Sequence, residues 1–204
     1  MVSDAQIAEG LARYGVRPDA RLLGQIREYT SLLLIWNQKI SLTAVVDPDR
    51  IIRFHFGESF FAVAKVPLEN GRLADVGSGA GFPGIPIAML APQLKVTLVE
   101  ANLKKAAFLA EVIRKLALHN ASVARARMRD LDWADFHFIT ARALGLGREL
   151  IEWSYRSLAS SGKLVLWVGA GDVEALTCEV AFSWERPISV PGSRHRRLLI
   201  GSRN

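Results

Sequence analysis

The sequence is poor in the features that mark secreted and membrane-spanning proteins. Its 204 residues include one cysteine, Cys178, which excludes an internal disulfide framework and fits a reducing compartment. No apolar run reaches the roughly 18 residues that a membrane-spanning helix needs, and the first residues lack the basic and apolar regions of a signal peptide. We therefore expect a cytoplasmic protein that does not associate with membranes.

Metal-ligand patterns are also missing. The chain has four histidines, and neither they nor Cys178 recur at the intervals of known metal-binding motifs. We predict that the protein holds no metal ion.

Acidic residues are outnumbered, because 26 lysines and arginines face 20 aspartates and glutamates. The net charge of +6 and a sequence pI near 9.8 favour a polyanionic partner such as RNA. No acid follows Glu185. The basic residues fall into two groups, which are Lys104, Lys105, Arg114, Lys115, Arg125, Arg127 and Arg129, and then Arg186, Arg194, Arg196, Arg197 and Arg203. A solvated face explains such groups equally simply, but together with the pI they favour phosphate contacts.

The most informative stretch is Leu73-Ala74-Asp75-Val76-Gly77-Ser78-Gly79-Ala80-Gly81-Phe82-Pro83-Gly84. An apolar run ends in three glycines at alternate positions and then enters a segment typical of a helix start. This order predicts a buried strand, a tight loop and a helix whose free N–H groups face the loop. Glycines allow both the sharp turn and a ligand lying against the main chain. The loop is therefore a candidate cofactor cradle at the carboxyl end of the first strand.

Two acids indicate which cofactor the loop takes. The spacing of Gly79, Gly81 and Gly84 fits a dinucleotide fingerprint, but Asp75 before the loop would repel a pyrophosphate. S-adenosylmethionine carries a sulfonium and an ammonium group and has no phosphate, so it suits this acid better. Glu100 ends the next apolar run, where a carboxylate can accept the two ribose hydroxyls. The alternative makes Asp75 a loop cap and Glu100 a solvated strand end.

Strands and helices alternate after residue 71, which predicts crossover units and a mainly parallel sheet. Strands are predicted at 73–77, 95–100, 121–126, 136–141 and 163–168, with an antiparallel edge from 180–185 and 196–200. Helices are predicted at 83–90, 103–118 and 146–158. The expected fold is α/β and Rossmann-like, of the class I methyltransferase type, with a seven-stranded sheet and helices on both faces. Residues 1–70 have helical periodicity and form a predicted N-terminal extension, and residues 71–204 form the predicted catalytic domain.

The chain resembles the bacterial ribosomal RNA small-subunit methyltransferase G family, also called GidB, whose members methylate N7 of a guanine in 16S ribosomal RNA. The long glycine-loop string is the specific part of the resemblance, and the other matches support it jointly. The matching segments are Trp36-Asn37-x-Lys39-x-x-Leu42-Thr43, His55-x-x-Glu58-Ser59, Asp75 through Pro86, Lys104-Lys105-x-x-Phe108-Leu109, and Ala141-Arg142-Ala143.

The resemblance implies S-adenosylmethionine as cofactor and 16S ribosomal RNA of the small subunit as partner. By position, Met128 and Arg129 lie beside the adenine, and Arg142 belongs to the cofactor site and is the predicted catalytic residue. The predicted cofactor-binding residues are Asp75, Gly77, Ser78, Gly79, Gly81, Phe82, Glu100, Met128, Arg129 and Arg142. Two positions depart from the family pattern, because an acid is usual in place of Arg129 and aspartate is usual in place of Glu58.

The implied reaction needs no general base, because guanine N7 has a free lone pair and no proton. The enzyme then acts mostly by positioning the nucleophile in line with the sulfonium methyl. Arg142 orders either the cofactor edge or the guanine, and a cation bonded to nearby carbonyls is its structural alternative. His55 is either a core residue or one on the RNA side of the site.

Three other functions remain open at this point. The same fold serves methyltransferases that act on small molecules or proteins, and a non-catalytic module can keep the nucleotide cradle. A nicotinamide dehydrogenase is disfavoured by Asp75 and the loop frame. We expect a monomer, since no long exposed apolar stripe is left over.

Overall fold

A computed structural model describes residues 2–68, 70–142, 147–178 and 181–204 of the chain. Its strands are β1 (Gly71–Val76), β2 (Leu94–Val99), β3 (Ala121–Ala124), β4 (Phe136–Arg142), β5 (Leu158–Gly169), β6 (Phe182–Trp184), β7 (Ile188–Ser189) and β8 (Arg196–Arg203). They form one central sheet with the order β3-β2-β1-β4-β5-β8-β6, and the short strand β7 also pairs with β8.

The first five strands are parallel, and β8 runs antiparallel to β5, β6 and β7. This confirms the predicted Rossmann-like α/β sheet, whose seven expected strands are the seven on the main path. The two-residue β7 was not predicted. The closing pair forms the predicted antiparallel edge, in which β8 lies next to β5, and β6 and β7 pair with its outer side.

Strand β5 begins earlier than its apolar run suggests. Leu158 pairs with Phe136 and Lys163 pairs with Phe138, so the register shifts around a serine-glycine segment in which Ser161 has a φ of 63°. A bulge of this kind adds residues to a strand without ending it. The predicted starts of a helix at Leu146 and of a strand at Val180, and Ala143 of the arginine motif, lie outside the described residues.

Helices before the sheet occupy α1 (Asp4–Ala12), α2 (Ala20–Asn37), α3 (Pro48–Ile51) and α4 (Glu58–Lys65). Side chains cap three of them, because Ser3, Asp19 and Asp47 each accept a backbone N–H of the first turn. A π-helical segment, Ile52–Gly57, joins α3 to α4. Such wide turns are rare and often occur at functional sites. The later helices are α5 (Gly84–Leu90), α6 (Leu103–Lys115), α7 (Arg148–Ser157) and α8 (Val173–Thr177).

The apolar core consists of two clusters, one on each face of the sheet. The larger joins the N-terminal helices, α5 and α6 to one face, and it includes Leu11, Tyr29, Phe108 and Ile200. The smaller packs α7 and α8 against the other face through residues such as Trp153. Helices thus cover both faces, and the helical segment shares its core with the sheet. The division of the chain at residue 70 stays a prediction.

None of the described helices is long and apolar enough to cross a membrane.

Candidate functional site

A cavity of about 660 Å³ opens at the carboxyl ends of β1, β2 and β4. The chain order of the strands reverses on either side of β1, and ligands of open α/β sheets bind at such a switch point. The volume falls in the range of small-molecule sites, roughly 300–1,000 Å³. The wall consists of Leu42, Thr43, His55, Val76, Gly77, Ser78, Gly79, Ala80, Phe82, Val99, Glu100, Ala101, Lys105, Ala126, Arg127, Met128, Arg142, Gly147, Glu149 and Leu150.

The glycine loop forms one side of this cavity, as the sequence predicts. The backbone N–H groups of Gly77 and Ser78 donate to the carbonyl of Val99, which ties the loop to the end of β2. Gly81 has a φ of 89°, and a Cβ atom there would lie 2.3 Å from the hydroxyl of Tyr29. Glycine is therefore required at Gly81 for the packing behind the loop, and Gly81 itself is not part of the cavity wall.

Asp75 does not reach the cavity, contrary to its predicted role as a direct cofactor ligand. Its carboxylate is 1% exposed and accepts hydrogen bonds from the hydroxyl of Thr140 at 2.8 Å and the N–H of Gly84 at 3.2 Å. Burial raises the pKa of Asp75 to about 6, and these hydrogen bonds oppose the rise. The side chain fixes the start of α5 behind the loop, so the alternative interpretation of Asp75 as a cap describes this geometry.

Glu100 does line the cavity. One carboxylate oxygen accepts the N–H of Gly79 at 2.9 Å, and the other accepts the N–H of Asn102 at 2.8 Å. These bonds fix the carboxylate between the glycine loop and the start of α6. A carboxylate oxygen has two lone pairs, so each retains capacity for a ligand hydroxyl.

The two residues predicted beside the adenine differ in their position relative to the cavity. Met128 lines the cavity together with Arg127 and Ala126. Arg129 follows on a 3-10 turn, is exposed and lies outside the wall. Since neighbouring residues of this turn face different directions, a side-chain contact from Arg129 to a ligand in the cavity has no support here.

Arg142 is the last residue of β4, which borders β1 on the side away from β2. Its side chain is 9% exposed, and burial lowers its pKa to about 10, while the charge of Glu58 opposes that shift. One guanidinium nitrogen, Nη2, lies 2.5 Å from Nδ1 of His55. The other, Nη1, is buried and makes no hydrogen bond within the described part of the chain.

Glu58 of α4 connects this arginine to the end of the chain. Its Oε2 lies 2.6 Å from Nη1 of Arg196 and 3.7 Å from Nη1 of Arg142. The Glu58 side chain is 2% exposed, so one buried carboxylate serves two cations from β4 and β8. The place of Arg196 in the second basic group suggests a contact with RNA phosphates. The structure instead makes Arg196 part of this ion network, so its side chain is not freely available to them.

His55 is held on three sides. Its ring stacks on Phe82 with centroids 4.8 Å apart, and its Nε2 lies 2.8 Å from the hydroxyl oxygen of Thr43. Burial, followed by the charges of Arg142 and Arg196, lowers its pKa to about 3. The imidazole is therefore neutral at physiological pH, and with both nitrogens engaged it is not available as a general base.

Several wall residues were not among the predicted cofactor-binding residues. Thr43 lies between α2 and α3, His55 lies in the π-helical segment between α3 and α4, and Lys105 and Arg127 bring the first basic group to the cavity rim. The matching segment Leu42-Thr43 is the one signal that points to Thr43. Among the described residues, no group of three or more histidine, cysteine or acidic side chains is placed to hold a metal ion.

Comparison with known proteins gives a consistent result. A protein in Stenotrophomonas maltophilia (strain K279a) called ribosomal RNA small subunit methyltransferase G is 38% identical over 202 residues, which are 96% of this chain and 92% of that protein. The protein of the same name in Xylella fastidiosa (strain 9a5c) is 40% identical over 176 residues, covering 84% and 82%.

Solved structures support the fold. A SAM-dependent methyltransferase from Aquifex aeolicus has a TM-score of 0.64 at 17% identity, over 78% of this chain and 94% of that one. A ribosomal protein L11 methylase from Lactobacillus delbrueckii subsp. bulgaricus has a TM-score of 0.61 at 15% identity, over 74% and 80%. The family model GidB, described as rRNA small subunit methyltransferase G, matches residues 22–197. The chain therefore belongs to the GidB family.

Proposed function

We propose that this protein transfers the methyl group of S-adenosylmethionine to N7 of a guanine in 16S ribosomal RNA of the small ribosomal subunit. The observation that carries the proposal is the cavity itself. Its wall combines the glycine loop, with Glu100 beside it, and the linked side chains of His55 and Arg142, in a chain of the GidB family. The glycine loop and Glu100 suit a cofactor, and His55 and Arg142 are placed to contact a base beside it.

Gly77, Ser78 and Gly79 would hold the methyl donor against the main chain, with Glu100 accepting its ribose hydroxyls and Met128 beside its adenine. Phe82 and Arg142 complete the pocket. When bound, S-adenosylmethionine supplies an electrophilic methyl group on sulfur. Asp75 and Gly81 act indirectly in this proposal, since both shape the loop from behind.

The side chains of this cavity fit a reaction that needs positioning and no proton removal. Guanine N7 attacks through its own lone pair, so His55 has no proton to take, and its position between Arg142 and Phe82 suits an orienting role. Arg142 brings a fixed positive charge to the wall and orders the cofactor edge or the base. Such fixed groups lower the barrier by holding the reactants in line.

Substrate contact would come from the first basic group. Lys104, Arg114, Lys115, Arg125, Arg127 and Arg129 are exposed, and Arg127, with the half-buried Lys105, reaches the cavity wall. Basic side chains at and around the cavity rim would neutralise phosphates near a base inserted into it. A stacked guanine would first have to leave its stack. We also propose that the protein acts as a cytoplasmic monomer.

The test is methyl transfer to purified 30S subunits that lack the modification, with methyl-labelled S-adenosylmethionine and RNA mass spectrometry. We expect label as 7-methylguanine at one position of 16S ribosomal RNA. Label on another base, or on protein or small molecules alone, would replace this function with another substrate. Cofactor binding without any transfer would favour the non-catalytic alternative.

A variant pair tests the cofactor side. Glu100→Gln weakens the acceptor for the ribose hydroxyls and should raise the calorimetric Kd for S-adenosylmethionine by about 10-fold or more. Glu174→Gln makes the same change at an exposed position of α8, outside the cavity wall, and should leave the Kd unchanged. Equal affinities of the two variants would argue against Glu100 as a cofactor ligand.

A further inference from the structure

Three side chains of the cavity wall are connected to one another in a chain of polar contacts. Arg142 Nη2 lies 2.5 Å from His55 Nδ1, and His55 Nε2 lies 2.8 Å from Thr43 Oγ1. The hydroxyl of Thr43 also accepts the backbone N–H of Val45 at 3.1 Å. All three members of the chain line the cavity.

The direction of every hydrogen bond in this chain follows from its first member. A guanidinium has only donors, so Nδ1 of His55 must accept and carries no proton. The neutral ring then carries its proton on Nε2, and that N–H must donate to Thr43. Because the position of the proton is set by the partners on both sides, the ring has one permitted tautomer here.

The hydroxyl of Thr43 is therefore left with one free hydrogen-bonding group, its O–H hydrogen. A hydroxyl oxygen has two lone pairs, and those of Thr43 are taken by the N–H groups of His55 and Val45. Its O–H hydrogen finds no acceptor among the residues that the structure describes. Since Thr43 lines the cavity, the hydrogen is directed to solvent or to a ligand atom. The hydroxyl can donate to that ligand and cannot accept from it.

We propose that Thr43 donates this hydrogen bond to O6 of the target guanine and so selects guanine over adenine. The proposal rests on the proposed function and deepens it. The edge of guanine that carries N7 also carries O6, an acceptor, whereas adenine has an amino donor at the same place. An amino group would meet a hydroxyl whose lone pairs are both occupied, so it would gain no hydrogen bond from Thr43.

The chemistry explains why the contacting group is a neutral hydroxyl. N7 needs its lone pair for the methyl group, so O6 is the acceptor that remains beside it. The base gains positive charge as it is methylated, and a guanidinium bonded directly to O6 would oppose this charge. A hydroxyl polarised through His55 gives a strong donor without placing the full cation on the base.

The test uses Thr43→Val, which keeps the shape and removes the hydroxyl, and Thr43→Ser, which restores it. The substrate is 30S subunits reconstituted with ligated 16S ribosomal RNA, carrying either guanine or 2-aminopurine at the position where the wild-type enzyme places its label. 2-Aminopurine keeps N7 and lacks O6. Single-turnover rates and the Kd for S-adenosylmethionine are measured for each enzyme.

With guanine, Thr43→Val should slow transfer by about 10- to 100-fold, and Thr43→Ser should recover it to within about threefold. The Kd for S-adenosylmethionine should stay within about twofold, which separates loss of the base contact from a collapsed cofactor pocket. On 2-aminopurine, the rate of the wild-type enzyme should fall to the rate that Thr43→Val has on guanine. The rate of Thr43→Val should be only slightly lower on 2-aminopurine than on guanine.

Two results would overturn the proposal for Thr43. One is an unchanged rate of Thr43→Val on guanine. The other is a rate of Thr43→Val on 2-aminopurine that is reduced by the product of the two single fold-losses, the one from the mutation and the one from the base change. Such independent losses would mean that the hydroxyl and O6 do not touch. Failure of the wild-type enzyme to methylate any guanine is a different result, which rejects the proposed function itself.

Discussion

The hydroxyl of Tyr29 donates a hydrogen bond of 2.5 Å to the backbone carbonyl of Ala80. Tyr29 is fully buried on α2, and its ring lies nearly parallel to that of Phe82 with centroids 5.0 Å apart. Both contacts fall on the loop that lines the cavity. The N-terminal helices thus determine the shape of the glycine loop directly, in addition to covering one face of the sheet.

Tyr29→Phe should therefore weaken both the fold and cofactor binding. The variant leaves the buried carbonyl of Ala80 without its donor, which costs about 1–3 kcal/mol of unfolding free energy. Urea unfolding measures this loss, and calorimetry should show a higher Kd for S-adenosylmethionine. Tyr155→Phe is the matched control, because the described residues offer no hydrogen-bond partner to that hydroxyl. Equal behaviour of the two variants would contradict a role for the Tyr29 hydroxyl.

The π-helical segment depends on a close packing contact at its last residue. A Cβ atom on Gly57 would lie 2.2 Å from Cε2 of Tyr14, a buried side chain that also packs against Phe61. Gly57→Ala should lower the unfolding free energy by about 1–3 kcal/mol, as overpacked cores do.

Gly24→Ala provides the comparison for that variant. Gly24 lies in α2, and no described atom comes within 4 Å of the position that a Cβ would take there. Alanine should therefore be neutral or stabilise the helix by up to about 1 kcal/mol. Thermal unfolding of both variants distinguishes the two sites. A Gly57→Ala protein as stable as Gly24→Ala would mean that Tyr14 moves aside freely.

Neutralising Glu58 should strongly lower the unfolding free energy. In Glu58→Gln the buried Arg142 and the partly buried Arg196 would face each other without a shared carboxylate. We expect a loss of about 3 kcal/mol, the lower end for a broken buried ion pair, because the Arg196 side chain is 40% exposed and keeps some hydration. Glu152→Gln removes one member of an exposed pair with Arg148 and should change stability by less than about 1 kcal/mol. If the two variants shift the urea unfolding midpoint by the same amount, the ion network around Glu58 does not stabilise the fold.

His55 should make the fold sensitive to acid. Its pKa in the folded protein is about 3, below the ordinary value near 6.5, so only the unfolded chain binds this proton as the pH falls between these values. The contribution of His55 to stability is complete above about pH 6.5 and declines below it, by at most about 1.4 kcal/mol per pH unit.

The pH effect is isolated by subtracting His55→Asn, which cannot take up the proton. The difference in unfolding free energy, wild type minus variant, should be constant from pH 8 to 7 and then fall toward pH 5. A difference that stays level down to pH 5 would show that the pKa of His55 is the same in the folded and unfolded states, and one that grows in favour of the wild type would show a raised pKa in the folded state; either result contradicts the prediction.

Local patterns predicted the frame of the site, because a strand, a glycine loop and a helix start are each encoded within a few neighbouring residues. The position of Glu100 at the end of β2 followed from the same reasoning. The direction of Asp75 did not, since a side chain at a strand end can face either the loop or the cavity, and tertiary contacts with Thr140 and Gly84 decide between them.

The contacts of Arg142, His55, Glu58 and Arg196 could not be predicted from sequence patterns for another reason. Arg142 and His55 are 87 residues apart, and Glu58 and Arg196 are 138 apart, so no periodicity connects them. Their contacts exist only once the N-terminal helices have packed on the sheet. The two-residue strand β7 could not be predicted either, because so short a segment shows no alternation of apolar and polar residues.

The large apolar cluster has a consequence for how the chain folds during synthesis. Leu11 and Ile200 belong to the same cluster, so the helices made first share a core with the strand that is made almost last. Contacts this distant in sequence form late, and until then the early helices keep apolar faces open to water. We expect nascent chains stalled before β8 to bind chaperones and to be cut readily by proteases, whereas chains released after β8 resist both.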